Sequence, residues 1–233
     1  MIMRMLDVGT SLAASIGRGG AGLQVGTLGA RPMEAVQLYE YEGCPFCRKV
    51  REALSILDLE AEIYPCPRNA PRFRAEVKRR GGKAMFPYLV DPNTGEEMYE
   101  SNDIVRYLFD QYGDGTVPLA LAMGPLTNVS SFAASAMRPG FGTSYKKAVH
   151  PKKMLELYSF EVSPYCRIVR EALSSLEIPY LLHNVAKGSP SRDAFVARSG
   201  KMQVPYLVDP NTGVEMFESA AIVAYLNETY AVG

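Results

Sequence analysis

Leu38-Tyr-Glu-Tyr-Glu-Gly-Cys-Pro-Phe-Cys-Arg-Lys-Val-Arg-Glu-Ala-Leu-Ser55 returns, at an offset of 119 residues, as Leu157-Tyr-Ser-Phe-Glu-Val-Ser-Pro-Tyr-Cys-Arg-Ile-Val-Arg-Glu-Ala-Leu-Ser174. Pro87-Tyr-Leu-Val-Asp-Pro-Asn-Thr-Gly95 recurs letter for letter at Pro205 to Gly213, now at an offset of 118, so the second copy has lost one residue between Pro190 and Lys201. Glu100-Ser101, Ile104-Val105 and Tyr107-Leu108 return as Glu218-Ser219, Ile222-Val223 and Tyr225-Leu226. Chance does not produce this: the chain is a tandem duplication, and whatever fold it has is built twice. A fainter echo, Ser11 to Ser15 with Arg18 against Ser131 to Ser135 with Arg138, extends the unit upstream. It predicts a short helix around Val129 to Arg138 and makes residues 113–153 more than a passive linker.

Composition bounds the function. A 47% apolar and 21% charged chain of 233 residues can pack a globular core. Its 25 basic and 25 acidic residues cancel without a like-charge run, which argues against nucleic acid or an anionic membrane as partner. The longest apolar stretch, Val117 to Leu126, falls short of the ~20 residues of a spanning helix. Four cysteines make no disulfide scaffold, whereas one Cys-x-x-Cys suits a reducing compartment. A soluble intracellular protein is expected.

Within each unit, Ala35 to Tyr41 and Met154 to Phe160 read as strands. Val50, Ala53, Leu54 and Leu57 recur at helical spacing, matched by Val169, Ala172, Leu173 and Leu176. Second strands follow at Ala61 to Tyr64 and Tyr180 to His183, then charged helical segments at Arg72 to Arg80 and Arg192 to Arg198. Tyr88 to Val90 and Met98 to Glu100 flank an Asp-Pro-Asn-Thr-Gly turn, and Ser101 reads as the N-cap of a last helix. The order βαβ-α-ββα is that of the thioredoxin fold. Two tandem α/β domains are therefore expected, over residues 34–112 and 154–233, after a Gly/Ala-rich leader at 1–33 and around a partly helical linker at 113–153. Each domain is expected to own a mixed four-stranded sheet, and one sheet running through both repeats would count against the duplication.

Cys44-Pro-Phe-Cys47 falls at a strand-to-helix junction. Helix N-terminal N–H groups favour the thiolate, and Arg48 and Lys49 add positive charge. Pro45 suits the first helical turn. The spacing lets Cys44 project towards a substrate while Cys47 lies one turn away to resolve a mixed disulfide. A zinc half-site would need two more ligands. Cys66 is not in such a spacing, and the only histidines are His150 and His183.

Cys44 to Cys47, the Phe86-Pro87 step and Glu100-Ser101 together resemble glutaredoxins and, more closely, the N-terminal thioredoxin-fold domain of glutathione S-transferases. Nearly the whole chain is similar to tandem proteins of two such domains found in cyanobacteria and plant chloroplasts. The resemblance implies cis bonds before Pro87 and Pro205, with Phe86 and Val204 offering backbone to the cysteinyl part of glutathione. It further implies that Glu100 with Ser101, and Glu218 with Ser219, hold the γ-glutamyl end, and that the compartment is the chloroplast.

The second copy departs from the dithiol pattern: Ser163-Pro-Tyr-Cys166 cannot run a dithiol cycle. Ser163 resembles the serine of serine-type glutathione transferases, or else the repeat is a structural copy that kept its pocket by descent. Cys166 is expected to be inert, Cys66 to be a buried structural residue, and His183 to be strand packing without an orienting acid. The leading expectation is a glutathione-dependent thiol–disulfide oxidoreductase acting through Cys44 and Cys47 on protein or glutathione mixed disulfides. Alternatives are a glutathione transferase, weakened because no all-helical domain follows either repeat, and an iron–sulfur or haem-binding module. An isolated fragment from about Pro151 onwards is expected to bind glutathione weakly and to reduce nothing.

Overall fold

A computed structural model describes residues 22–122 and 140–232. The expected helix at 129–138, and the echo upstream of residue 22, lie outside the described residues. In the first repeat the elements are β1 (Val36–Glu40), α1 (Pro45–Ile56), β2 (Ala61–Pro65), α2 (Phe73–Gly81), β3 (Tyr88–Asp91), β4 (Glu96–Met98) and α3 (Ser101–Tyr112). A short α4 (Leu119–Ala122) follows. The second repeat supplies β5 (Leu155–Ser159), α5 (Pro164–Ser175), β6 (Tyr180–Asn184), α6 (Arg192–Ser199), β7 (Tyr206–Asp209), β8 (Val214–Phe217) and α7 (Ser219–Tyr230). The thioredoxin order is present twice. The helical spacing read in α1 is its buried face: Val50, Ala53 and Leu54, with Leu57 at the C-cap, are all fully buried.

Two local readings shift. The β4 strand begins at Glu96 because the turn closes tightly, with the Thr94 and Gly95 N–H groups donating to Asp91 O and Gly95 at φ +77°. Ser101 is the first residue of α3 rather than its cap. Glu100 holds the cap position, at φ 65°, and its side chain makes no capping bond.

The larger correction concerns the sheet. It is one eight-stranded sheet in the order β4-β3-β1-β2-β6-β5-β7-β8, not two separate sheets. Antiparallel pairing of β2 with β6 (Ala61↔Leu182, Glu62↔Leu181, Ile63↔Tyr180) joins the halves. The duplication survives, because this pairing is symmetric about Glu62 and Leu181 and each half keeps its own four strands. The physical reason lies in the edges: β2 and β6 would each be an exposed edge with unpaired backbone groups, and pairing removes both.

The repeats share more than strands. One apolar cluster runs through both, from Leu38 and Leu54 to Leu157 and Leu173, while on the other face Tyr39, Cys66, Val77 and Tyr88 form one cluster and Val185, Phe195 and Tyr206 another. Each upstream segment crosses to the opposite repeat: Gln24 bridges Lys187, and Ser144 bridges Arg68. Glu177 Oε1 accepts from the Arg72 and Phe73 N–H groups (both 2.9 Å), so a carboxylate of the second repeat caps a helix of the first. Among the described residues no helix is long and apolar enough to cross a membrane.

Candidate functional site

Cys44 is the N-cap of α1, in extended backbone (φ −79°, ψ 119°), with Pro45 in the first turn behind it. Its Sγ accepts the Cys47 N–H at 3.2 Å. Burial works to raise the Cys44 pKa, but hydrogen bonds from the Cys47 side chain and N–H, helped by the Arg51 guanidinium, carry it below the usual thiol value. Burial and the neighbouring Cys44 push the Cys47 thiol well up. The two sulfurs are thus differentiated, Cys44 shifted towards the thiolate and Cys47 away from it. The cations named from sequence are not the ones that act. Arg48 is bound to Glu52 (3.1 Å), and Lys49 Nζ donates to Asn102 Oδ1, whereas Arg51, one turn beyond Cys47, faces the site.

Cys44 is covered by its neighbours. It is 2% exposed, and the nearby Tyr41 ring stands edge-on to Phe86 at 6.3 Å. Beside it opens a cavity of about 140 Å³ lined by Phe46, Met85, Phe86, Pro87, Glu100 and Ser101. Four residues named for the first repeat by resemblance therefore meet around one space, and neither Cys44 nor Cys47 belongs to its wall. The Phe86-Pro87 and Val204-Pro205 bonds are cis. Glu100 and Glu218 have left-handed backbone (φ 65° and 71°), a costly conformation for a non-glycine residue that places each at the mouth of a helix N-terminus.

In the second repeat Ser163 occupies the same cap, its Oγ accepting the Cys166 N–H at 3.3 Å. Its pocket differs: Gln203 Nε2, standing where the first repeat has Met85, donates to Glu218 Oε1 at 2.7 Å. The carboxylate equivalent to Glu100 is engaged by the protein's own side chain. Cys166 is fully buried, and that burial raises its pKa; Cys66 is likewise buried, among Tyr39, Val77 and Tyr88, with its pKa well up. The reading of His183 needs correcting. It stacks on Tyr158, as a packing residue does, but its Nδ1 lies 2.5 Å from Glu60 Oε1 and its Nε2 3.4 Å from Glu156 Oε2. One carboxylate comes across the joint between repeats, which no local motif could show.

The residues missed altogether are a buried charge cluster behind the dithiol. Arg51 contacts Glu40, Glu42 and Glu161; Arg170 contacts Glu42 and Glu161, and donates to Ser159 Oγ at 3.3 Å. Arg48 pairs with Glu52 and Arg167 with Glu171 (3.1 and 3.2 Å). Glu42, two residues before Cys44, is thereby clamped by the second repeat, and Thr143 lies against Gly43 so closely that a Cβ there would meet it at 2.1 Å. The signal was available: Glu42, in the loop before α1, and Arg48, Arg51 and Glu52 on α1 are each retained at the matching position of the second copy.

The family model for the glutathione S-transferase N-terminal domain matches residues 38–116 and again 157–232. No curated protein matches the chain. Among solved structures, a trimeric glutathione transferase of Leishmania aligns at 14% identity over 86% of this chain and 68% of that one, with a TM-score of 0.30. That likeness is too weak to carry any argument about this chain.

Proposed function

For a chain that belongs to the glutathione S-transferase N-terminal domain family, matched once in each repeat, we propose a glutathione-dependent thiol–disulfide oxidoreductase whose chemistry resides in the first repeat. The observation that carries this reading is the seat of Cys44: a thiol at a helix N-terminus, lowered in pKa by the N–H and side chain of a second cysteine one turn away. The Cys44 thiolate attacks a protein or glutathione mixed disulfide, taking one sulfur into a new disulfide and releasing the other as thiolate. Cys47, or a second glutathione, then attacks that bond and frees the bound half. Phe86 beside cis-Pro87, with Glu100 and Ser101 at the N-terminus of α3, would hold glutathione in the cavity. A carboxylate of the ligand suits the helix N-terminus, and its α-amino group suits Glu100.

Among the described residues no base is hydrogen-bonded to Ser163, as an alcohol nucleophile would need. Glu218 is engaged by Gln203, and the second repeat serves instead to hold the loop before Cys44. Protein disulfides as partners, and the chloroplast setting implied by the resemblance, belong to the same proposal. The test is a glutathione-coupled disulfide reductase assay on the full chain. Cys44→Ser abolishes turnover, and Cys47→Ser leaves a monothiol route that requires glutathione. Full activity in Cys44→Ser would overturn the assignment.

A further inference from the structure

The whole chain is electrically neutral, but its cations are unevenly placed. Residues 68–83, the stretch around α2, hold seven basic residues and one acidic one. The matching stretch around α6, residues 187–201, holds four and one. Part of this charge serves the frame in both copies. Arg74 Nη1 donates to Cys66 O at 3.0 Å, as Arg192 Nε donates to Val185 O at 3.1 Å. Lys83 lies over the Tyr99 ring at 4.9 Å, as Lys201 lies over Phe217 at 4.4 Å. The excess is particular to the first repeat. Val196 and Ala197 stand where it has Lys78 and Arg79, and Ser191 alone replaces Arg72 and Phe73. All three added cations are exposed. Nearby acids are already engaged: Glu76 by Arg79 and Arg80 (2.6 and 2.8 Å), Glu97 by Arg80 (2.9 Å), and buried Glu177 by the Arg72 and Phe73 N–H groups. Among the described residues, Arg68, Arg72, Lys78 and Lys83 stand in no ion pair.

We propose that this face of α2 docks an acidic peptide segment of the protein substrate, the segment that carries the disulfide to Cys44; this rests on the oxidoreductase reading above. The face adjoins the cavity. The Arg74 guanidinium sits 4.7 Å over the ring of Phe86, which lines that cavity, and Tyr99, under Lys83, immediately precedes Glu100. A space of about 140 Å³ has no room for a peptide, so the protein half of a mixed disulfide lies outside it, across the rim. There an aspartate or glutamate beside the disulfide meets cations that have no acidic partner in the chain, whereas a lysine or arginine is repelled. One exposed pair contributes little, but several cations together raise the local concentration of an acidic segment and its rate of encounter. A nucleic-acid strand suits the face less well. Its bases need open aromatic rings to stack on, and Phe73, Phe86 and Tyr99 each already carry a cation of this chain. The second repeat, which lacks the reactive sulfur, also lacks the added cations.

The experiment gives the full chain three peptides of one length, each with a glutathionylated cysteine flanked by glutamates, by serines or by lysines. At low salt kcat/KM for the glutamate peptide should exceed that for the serine peptide about tenfold, with the lysine peptide slowest, and salt should close the gap. The triple variant Arg72→Ser, Lys78→Val, Arg79→Ala installs the surface of the second repeat. It should lose most of the glutamate preference and turn over the serine peptide as wild type does. Lys78→Glu, a single exposed reversal, should lose part of that preference and speed the lysine peptide. Equal rates for the three peptides in wild type, a preference that survives high salt, or an equal loss on all three in the variants would overturn the proposal. Fluorescence anisotropy with a cysteine-free glutamate peptide tests the surface without turnover. Wild type should bind it in a salt-sensitive way and the triple variant should not; tighter binding of a single-stranded oligonucleotide would overturn the assignment to a peptide. Turnover of none of the three peptides would sink the oxidoreductase reading, while the anisotropy result still decides the docking surface.

Discussion

The two repeats fold alike and differ in what their helix N-termini carry. Backbone features repeat closely: the cis bonds before Pro87 and Pro205, the left-handed Glu100 and Glu218, and the cap by side chain 44 or 163. The chemistry does not repeat. Cys44 becomes Ser163, Glu40 becomes Ser159, and Met85 becomes Gln203, which engages the pocket's own glutamate. The shared residues are those that hold the halves together, above all the arginines and glutamates of the joint. On the function proposed above, the two repeats divide two duties: the first keeps the reactive sulfur, and the second keeps the frame that braces it.

The largest effect that can break this contrast is on the frame. Replacing Arg170 by Met leaves Glu42 and Glu161 with less counter-charge in a dry interior and should cost about 3–5 kcal/mol of stability. Arg51→Met should cost a similar amount, because the joint is symmetric. Urea unfolding checks both, and a loss confined to one of them would show that the repeats are braced unequally.

A smaller effect is a pH dependence that the first repeat has and the second lacks. The folded Glu40 pKa is raised above its ordinary value, to about 7, so the folded chain holds a proton that the unfolded chain releases near 4.5. The associated stability is full below that lower value and is lost as pH rises through 7. The urea midpoint of wild type should therefore fall, relative to that of Glu40→Gln, between those two pH values. Ser159→Ala in the second repeat should leave the dependence in place. Glu161 behaves oppositely: with Arg170, Arg51 and Arg48 overcoming its burial, its pKa is lowered to about 2, and its contribution is lost only as acid reaches that value.

Much of this was legible in the sequence, and the division is physical. Periodicity and repetition are local, so the element order, the helix face of Val50 to Leu57 and the cysteine at the helix start could be read directly. The β2 to β6 pairing and the Glu60 carboxylate beside His183 depend on which edges meet, and that choice is made by contacts more than a hundred residues apart. The charge cluster fell between these cases. Glu42 and Arg51 were visible as retained charges, but solvated helix faces also retain charges, and only the joint puts these ones inside.

The smallest expected effect concerns the second pocket. Gln203→Met, the residue of the first repeat, frees Glu218 and should improve glutathione binding at that site by about 1 kcal/mol. Calorimetry on the full chain with Cys44→Ser checks it. The fragment beginning near Pro151 is a poorer vehicle, because cutting there exposes the β6 edge and half of the shared core. Unchanged binding would mean that Gln203 is a bystander and that Ser163 or Val204 limits the pocket.

The most direct measurement of the central claim is alkylation of each cysteine against pH in the native chain, resolved by peptide mass spectrometry. The expected result is that Cys44 reacts with an apparent pKa below the ~8.5 of an ordinary thiol. Cys47, Cys66 and Cys166, whose pKa values burial raises, should stay unreacted over the same range. Four cysteines titrating together, or Cys44 reacting only at alkaline pH, would contradict the assignment of the reactive sulfur to the first repeat's helix N-terminus.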